Sequence, residues 1–329
     1  TQESVLINIK ESITRSHVLA IQAGNGVLSN VDRASISEEI TSIKETVLDL
    51  MNAKTEDGRY IFSGYQDNTQ TYSFNSTTDE YTYNGDQGQH KIKVAEGVEI
   101  KSSDNGFDVF ENVPKRLDID RATLTPPTAS VYITEQGQFD SFHTAQYNAS
   151  PSAPANANTI TVNFTSATTY DVLQGGVALK SGTYSGDVAN IDGLEVKPNG
   201  AASLSFELEK PQKENVLNTL YKLETALNDP SLSQEDYEQV LADSLVGLTN
   251  AKNLVSQTQS GLGGRSNTAQ RIVDANADLD INNKAAKATL VELDMAEAIT
   301  ELTKHETALQ ASQATFGRLT NLSLLEYIR

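Results

Sequence analysis

Cysteine is absent from the 329 residues and methionine occurs only twice. The chain can therefore hold no disulfide, no thiolate-ligated metal and no cysteine nucleophile. Basic side chains are scarce as well: 25 Lys and Arg stand against 44 Asp and Glu, for a net charge of -19. A surface that acidic repels phosphate backbones and anionic lipid, so nucleic acid and membrane surfaces are poor partners. No apolar run approaches the roughly 20 residues that span a bilayer. A basic, apolar signal sequence is also missing; Thr1 opens directly into helical pattern, as expected of a fragment whose natural beginning has been removed. Hydrophobic residues make up 38%, low for a compact enzyme of this length but ordinary for long, solvent-washed helices.

What is present is helical periodicity. From Ile272 to Leu325 there is no proline and a single glycine, Gly317. Leu290 and Leu293 lie three apart; Met295, Ile299 and Leu302 step by four and three; Leu309 and Phe316 each follow at seven, and Leu319 at three. Such spacings place side chains on one helix face. A helix that long cannot cover its own stripe, so it needs another helix, from this chain or a neighbouring subunit.

Upstream, Leu6, Ile9 and Ile13 mark a helix that fades at Gly24-Asn25-Gly26. Ser29 with Asp32 offers an N-cap, after which Ile36, Ile40, Ile43, Val47 and Leu50 form a two-helix seam expected to run to Asp57-Gly58. The period then falls to two: Tyr72 and Phe74, Tyr81 and Tyr83, Ile92 and Val94 alternate with other residues, and Asn84-Gly85 reads as a hairpin turn. The aromatic stripe of these hairpins is expected to pack on a helix, because isolated hairpins are only marginally stable. Between about Lys115 and Lys210, Thr, Ser, Asn, Gly and Pro dominate around short β-like runs. Helical pattern returns at Glu214, breaks at Asn228-Asp229-Pro230, and resumes behind a Ser233–Asp236 cap. Glycine propensity favours a kink at Ser260–Gly264.

The expected class is α+β: a long antiparallel or coiled-coil helical rod with β-hairpins, plus an inserted all-β domain, sandwich or barrel-like. Residues 1–116 hold rod helices (1–56) and hairpins (59–112), 117–210 the insert, 211–304 the returning rod helices, and 305–329 an assembly helix. Rod packing is assigned to Ile36, Ile40, Ile43, Val47, Leu50, Leu290, Leu293 and Ile299. The partner-seeking face is Leu302, Leu309, Phe316, Leu319, Leu322 and Leu325.

Candidate chemistry is thin. His17, His90, His143 and His305 lie far apart without metal-ligand spacing. Asp274-x-Asn276-x-Asp278 begins like a calcium loop, yet Leu279 and Ala285 stand where glycine and glutamate are needed. Gly261-x-Gly263-Gly264 lacks the spacing and the preceding strand of a nucleotide fingerprint. No enzyme and no cofactor are expected.

Gly58-Arg59-Tyr60-Ile61-Phe62-Ser63-Gly64 and Tyr83-Asn84-Gly85-Asp86-Gln87-Gly88-Gln89 resemble the flagellin-like hook-associated protein 3 family. Ala23-Gly24-Asn25-Gly26, Met295-Ala296-Glu297-Ala298-Ile299, Ala308-Leu309-Gln310-Ala311-Ser312 and Leu322-Ser323-Leu324-Leu325-Glu326-Tyr327 fit the same resemblance, which covers roughly 1–113 and 211–329. It implies an extracellular structural subunit joining hook to filament in bacterial flagella, exported without a cleaved signal. Implied partners are a neighbouring hook-associated protein, flagellin, copies of itself and an export chaperone on the C-terminal helix. The resemblance also implies a helix continuing through Ser260–Gly264, and that reading is preferred to the kink. With the family's opening helix missing, Leu309, Phe316, Leu319 and Leu322 are expected to be disordered or packed on a neighbouring molecule. The alternatives are flagellin itself, or a surface module whose insert recognises glycans.

Overall fold

Ser29 and Asp32 close on each other in both directions. The Asp32 amide donates to Ser29 Oγ at 3.3 Å, and the Ser29 amide donates to Asp32 Oδ2 at 3.0 Å. The structure is a computed structural model and describes residues 2–26, 28–95, 97–291 and 295–326, with backbone alone at 291 and 321–326. The capping box launches α2 (Asn30–Met51) after α1 (Gln2–Ala23). Helix α2 stops six residues before the expected Asp57. At its end the Asn52 side chain takes the Tyr72 amide on Oδ1 and gives Nδ2 to the Tyr72 carbonyl. A side chain satisfying backbone groups in this way competes with further helix.

The chain divides into two compact units, Thr1–Ser266 and Asn267–Arg329. In the first unit, α1 and α2 share an apolar core with α4 (Val216–Asn228) and the first part of α5 (Gln234–Val291). Leu6, Ile9, Ile13, Ile36, Ile40 and Val47 are buried there, with Ile43 and Leu50 half-buried at its edge. A polar bond set fixes the pairing of α2 and α4. Lys44 pairs with Glu224, Thr41 Oγ1 donates to Glu224 Oε1 at 2.8 Å, and the Lys44 ammonium lies 5.3 Å from the centre of the Tyr221 ring. A buried cation left without that carboxylate would be costly, so the register is specified as well as stabilised.

The first hairpin pairs β1 (Tyr72–Asn75) with β2 (Glu80–Tyr83). Its aromatic stripe meets a helix: Phe74 and Tyr81 stand 5.4 and 6.4 Å from Tyr221 of α4. Asn84-Gly85 is not the turn of this hairpin. The reversal falls before β2, where Asp79 takes the positive φ of 54°. A second ribbon, β3 (Lys91–Ala95) with β4 (Val98–Lys101), turns at Gly97, φ 79°. A π-helical turn, Phe107–Glu111, and the short pair β5 (Val113–Pro114) and β14 (Lys213–Glu214) form the neck of the insert.

The insert holds β6 (Ile119–Thr125), β7 (Ser130–Ile133), β8 (Thr159–Phe164), β9 (Thr169–Gln174), β10 (Val177–Thr183), β11 (Ala189–Ile191), β12 (Leu194–Lys197) and β13 (Ser203–Leu208). A five-stranded antiparallel sheet in the order β10-β9-β8-β13-β6 and a three-stranded one, β11-β12-β7, share one core. The expectation of an all-β insert needs correction, because α3 (Gln136–Gln146) lies within it and sends Phe139 and Phe142 into that core. Its sequence hid it: Gly137 lowers helix propensity, and two aromatics three apart are a short signal.

Helix α5 runs unbroken across Gly261, Gly263 and Gly264, and a Cβ at any of the three would meet open space. Just beyond them, Arg265 Nη1 donates to Asp104 Oδ1 at 2.8 Å, and Nη2 also pairs with the same carboxylate. This bidentate ion pair anchors the helix where its own propensity is weakest.

Candidate functional site

Two groups of sequence-assigned residues come together differently. The motif residues fold into one knot of turns around Ser63 and Asp86. Asp86 Oδ1 accepts from the Tyr65 amide at 2.8 Å and the Gly88 amide at 2.7 Å, while the Asp86 amide donates to the Ser63 carbonyl at 3.1 Å. Asn84 gives its amide to the Thr71 carbonyl at 2.9 Å and Nδ2 to Ser73 Oγ at 3.0 Å. The Tyr83 hydroxyl lies within hydrogen-bond reach of the Phe62 and Asp86 carbonyls, at 2.9 and 2.7 Å. Burial pushes the Tyr83 and Tyr72 phenols well above their ordinary value.

Gly64 adopts φ +70°, and a Cβ there would run into the Asp86 carboxylate; one on Gly85 would meet the Tyr83 hydroxyl at 2.5 Å. Phe62 is fully buried and meets Phe110 edge-on at 5.1 Å between ring centres. Gly58 takes φ +81°, Arg59 reaches Asp67 at 3.4 Å, and Tyr60 lies under the Lys54 ammonium. The motif is thus a folding element. Gly64→Ala is expected to lower stability by roughly 1–3 kcal/mol from the backbone alone, read as a shifted urea midpoint with an unchanged slope.

The neck concentrates half-buried carboxyls. Desolvation raises Glu111, Asp118 and Glu209 above the usual carboxylate range, with opposing pulls from Tyr72 and Asn215 on Glu111, from Arg121 and Arg116 on Asp118, and from Lys115 on Glu209. Arg116 is the centre of this region and was not singled out from the sequence. Its side chain is 2% exposed. Nε donates to Asp243 Oδ1 at 2.6 Å, Nη1 to Gln136 Oε1 at 3.1 Å and Nη2 to Gln239 Oε1 at 3.0 Å. One guanidinium therefore joins the neck to the start of α3 and to α5. Among the described residues no cluster of three or more metal-ligating side chains occurs.

In the second unit, α6 (Met295–Glu326) presents its apolar residues to solvent. Relative exposure is 67% at Met295, 55% at Ile299, 61% at Leu302, 60% at Leu309, 69% at Phe316 and 61% at Leu319. The partner-seeking residues Leu302, Leu309, Phe316 and Leu319 thus share a helix face that is open. Leu290 and Ile299, assigned to rod packing, need correction: Leu290 is 86% exposed and Ile299 sides with the open face. The period marks which face is apolar and cannot say whether this chain supplies the cover. Leu293 and the side chains of Leu322 and Leu325 lie outside the described residues. The same helix returns each of its threonine hydroxyls to its own backbone. Thr300, Thr303, Thr307, Thr315 and Thr320 donate to the carbonyls of Ala296, Ile299, Thr303, Ala311 and Phe316.

Helices at both ends of the sequence, β structure between them and an uncovered apolar helix face define a flagellin-type assembly subunit. The bacterial flagellin N-terminal helical region matches residues 1–67, and the C-terminal helical region matches 245–328. Flagellar hook-associated protein 3 of Escherichia coli K12 is 23% identical over 325 residues, 99% of this chain and 75% of that one. FlgL of Xanthomonas campestris shares the fold with a TM-score of 0.65 at 22% identity, covering 89% of this chain and 92% of that chain. The flagellar junction protein FlgL of Legionella pneumophila gives 0.61 at 25% identity, covering 86% and 89%. The chain is thus similar to flagellar hook-associated protein 3, in agreement with the resemblance of its motifs.

Proposed function

We propose that this chain is a structural subunit of the bacterial flagellum that joins hook to filament and polymerises through its terminal helices. The observation that carries the reading is the row Met295, Ile299, Leu302, Leu309, Phe316 and Leu319, solvent-exposed on α6 within the segment that matches the flagellin C-terminal helical region. An exposed apolar row of that length marks an interaction surface. Covering it in a helical tube is the event that would complete the subunit's core. Its partners there are copies of itself, a neighbouring hook-associated protein and flagellin, with an export chaperone on α6 beforehand. The location is outside the cell, reached through the flagellar export apparatus without a cleaved signal. The insert and the neck have no part in that contact on this reading.

Immunogold labelling of native flagella tests the assignment. A single band just beyond the hook is expected. Label along the whole filament would make the protein a flagellin instead, and absence from the flagellum would end the reading.

A further inference from the structure

The ribbon β3–β4 is poorly accounted for by the fold of the subunit itself. Among the described residues it pairs with no other strand, and both of its faces carry exposed residues: Ile92 is 57% and Val98 38% exposed on one, and the Lys91 and Glu99 side chains are each 59% exposed on the other. Two-stranded ribbons are marginal on their own. This one also pairs Lys91 directly with Lys101, and Lys93 beside them faces Glu99. One face therefore holds three lysines and one glutamate, in a chain whose net charge is -19. Like charges directly opposite each other weaken a strand pair. The Lys91–Glu99 contact, 3.8 Å with both side chains 59% exposed, is too exposed to offset this by much. An anionic surface laid over that face would relieve it.

Such a surface exists on α2. Glu38, Glu45 and Asp49 follow at spacings of seven and four, so they share one face; all three are exposed, and none makes a salt bridge among the described residues. The basic side chain of Lys44 on the same helix is buried against Glu224 and does not neutralise them. Glu45 and Asp49 are one helical turn apart, about 6 Å. Lys91 and Lys93 are two residues apart along a strand, about 7 Å. The two charge pairs are opposite in sign and match in spacing.

We propose that the lysine face of β3–β4 docks on the Glu45–Asp49 stripe of α2 in a second copy of this chain. Because donor and acceptor surfaces differ, the contact is heterologous and repeats from copy to copy, giving a ring or an open helical array. The proposal rests on the assembly reading above and supplies it with a contact away from α6. Being made between exposed charges, the contact weakens as salt rises.

The absence of cysteine makes a clean test available. Lys93→Cys and Asp49→Cys are placed in separate chains, co-expressed as the only copies, and isolated flagella are oxidised. The mixed disulfide dimer, one chain of each variant, is expected at least tenfold above either variant's own dimer. Reversing Lys91, Lys93 and Lys101 to Glu is expected to reduce incorporation about tenfold, and adding Glu45→Lys and Asp49→Lys in the same chain to restore it. Assembled flagella in which the three dimers form in statistical proportion would overturn the docking and leave the assembly reading intact. Coupling of the hairpin cysteine to a different flagellar protein would do the same. Wild-type chains that never enter flagella would overturn both.

Discussion

Leu309→Asp combined with Phe316→Asp is expected to abolish incorporation into flagella while leaving the soluble subunit as stable as before. Both residues are mostly exposed, at 60% and 69%, so neither supports the fold of the separate subunit. On assembly each apolar side chain would contribute roughly 1.5–3 kcal/mol by leaving water. Losing two of them forfeits about 3–6 kcal/mol per subunit, and each tenfold in affinity corresponds to about 1.4 kcal/mol. The aspartates then add the cost of carrying unpaired carboxylates into an apolar seam. The effect is repeated at every copy, so the expected outcome is loss of filaments and not a shortening of them. Counts of filaments on cells carrying only the variant, beside thermal unfolding of the purified chain, separate assembly from folding. Normal filaments from the double variant would remove α6 from the assembly surface.

Arg116→Ala has the second largest expected effect, and it acts on the tie between the insert and the helices. The substitution leaves the Gln136 amide oxygen without its donor, leaves Gln239 Oε1 to Arg121 alone, and takes one of two arginines away from Asp118. Removing one partner of a buried ion pair costs roughly 3–5 kcal/mol. The value here should fall near the bottom of that range, since Asp243 is 44% exposed and can regain water. The insert and the helical region each have their own buried core, so the loss appears as undocking and not as global unfolding. Trypsin cleavage after Lys213, in the β5–β14 neck, should quicken at least tenfold while far-UV circular dichroism changes little. Unchanged cleavage would mean that the neck strands alone hold the insert.

Much of the helical architecture was legible because the same residues carry both the local and the tertiary signal. Ile36, Ile40 and Val47 repeat at helical spacing and are the residues buried against α1 and α4; Ser29 and Asp32 announce the start of α2 and form its capping box. The motif Gly58–Gly64 with Asn84–Gly88 was legible as a resemblance, and Gly64, Gly85 and Gly88 prove to sit where a Cβ would strike Asp86, Tyr83 or Tyr65, while Gly58 takes a positive φ. The readings that failed involve signals resolved only by distant residues. Asn84-Gly85 looks like a two-residue turn, but the Thr71 carbonyl takes the Asn84 amide and the Ser63 carbonyl lies where a Gly85 Cβ would be. Arg116 has no periodic neighbours to mark it, and its partners come from positions 136, 239 and 243. Leu290 fits the helical stripe perfectly and still faces water, because periodicity is a property of one helix and burial a property of two.

Thr320 of α6 bears on how such a surface stays ready for use, since it follows Leu302 by eighteen residues, five full turns, and so shares the apolar face. A hydroxyl pointing outward from an apolar row would have to shed its water when a neighbour arrives, and would be left wanting a partner in the dry seam. Bonded instead to the Phe316 carbonyl in the preceding turn, the Thr320 hydroxyl already has its partner and shows the newcomer chiefly its methyl group. The helix accepts a slight bend for this. In return the joint can close over that position without a bare hydroxyl left in it.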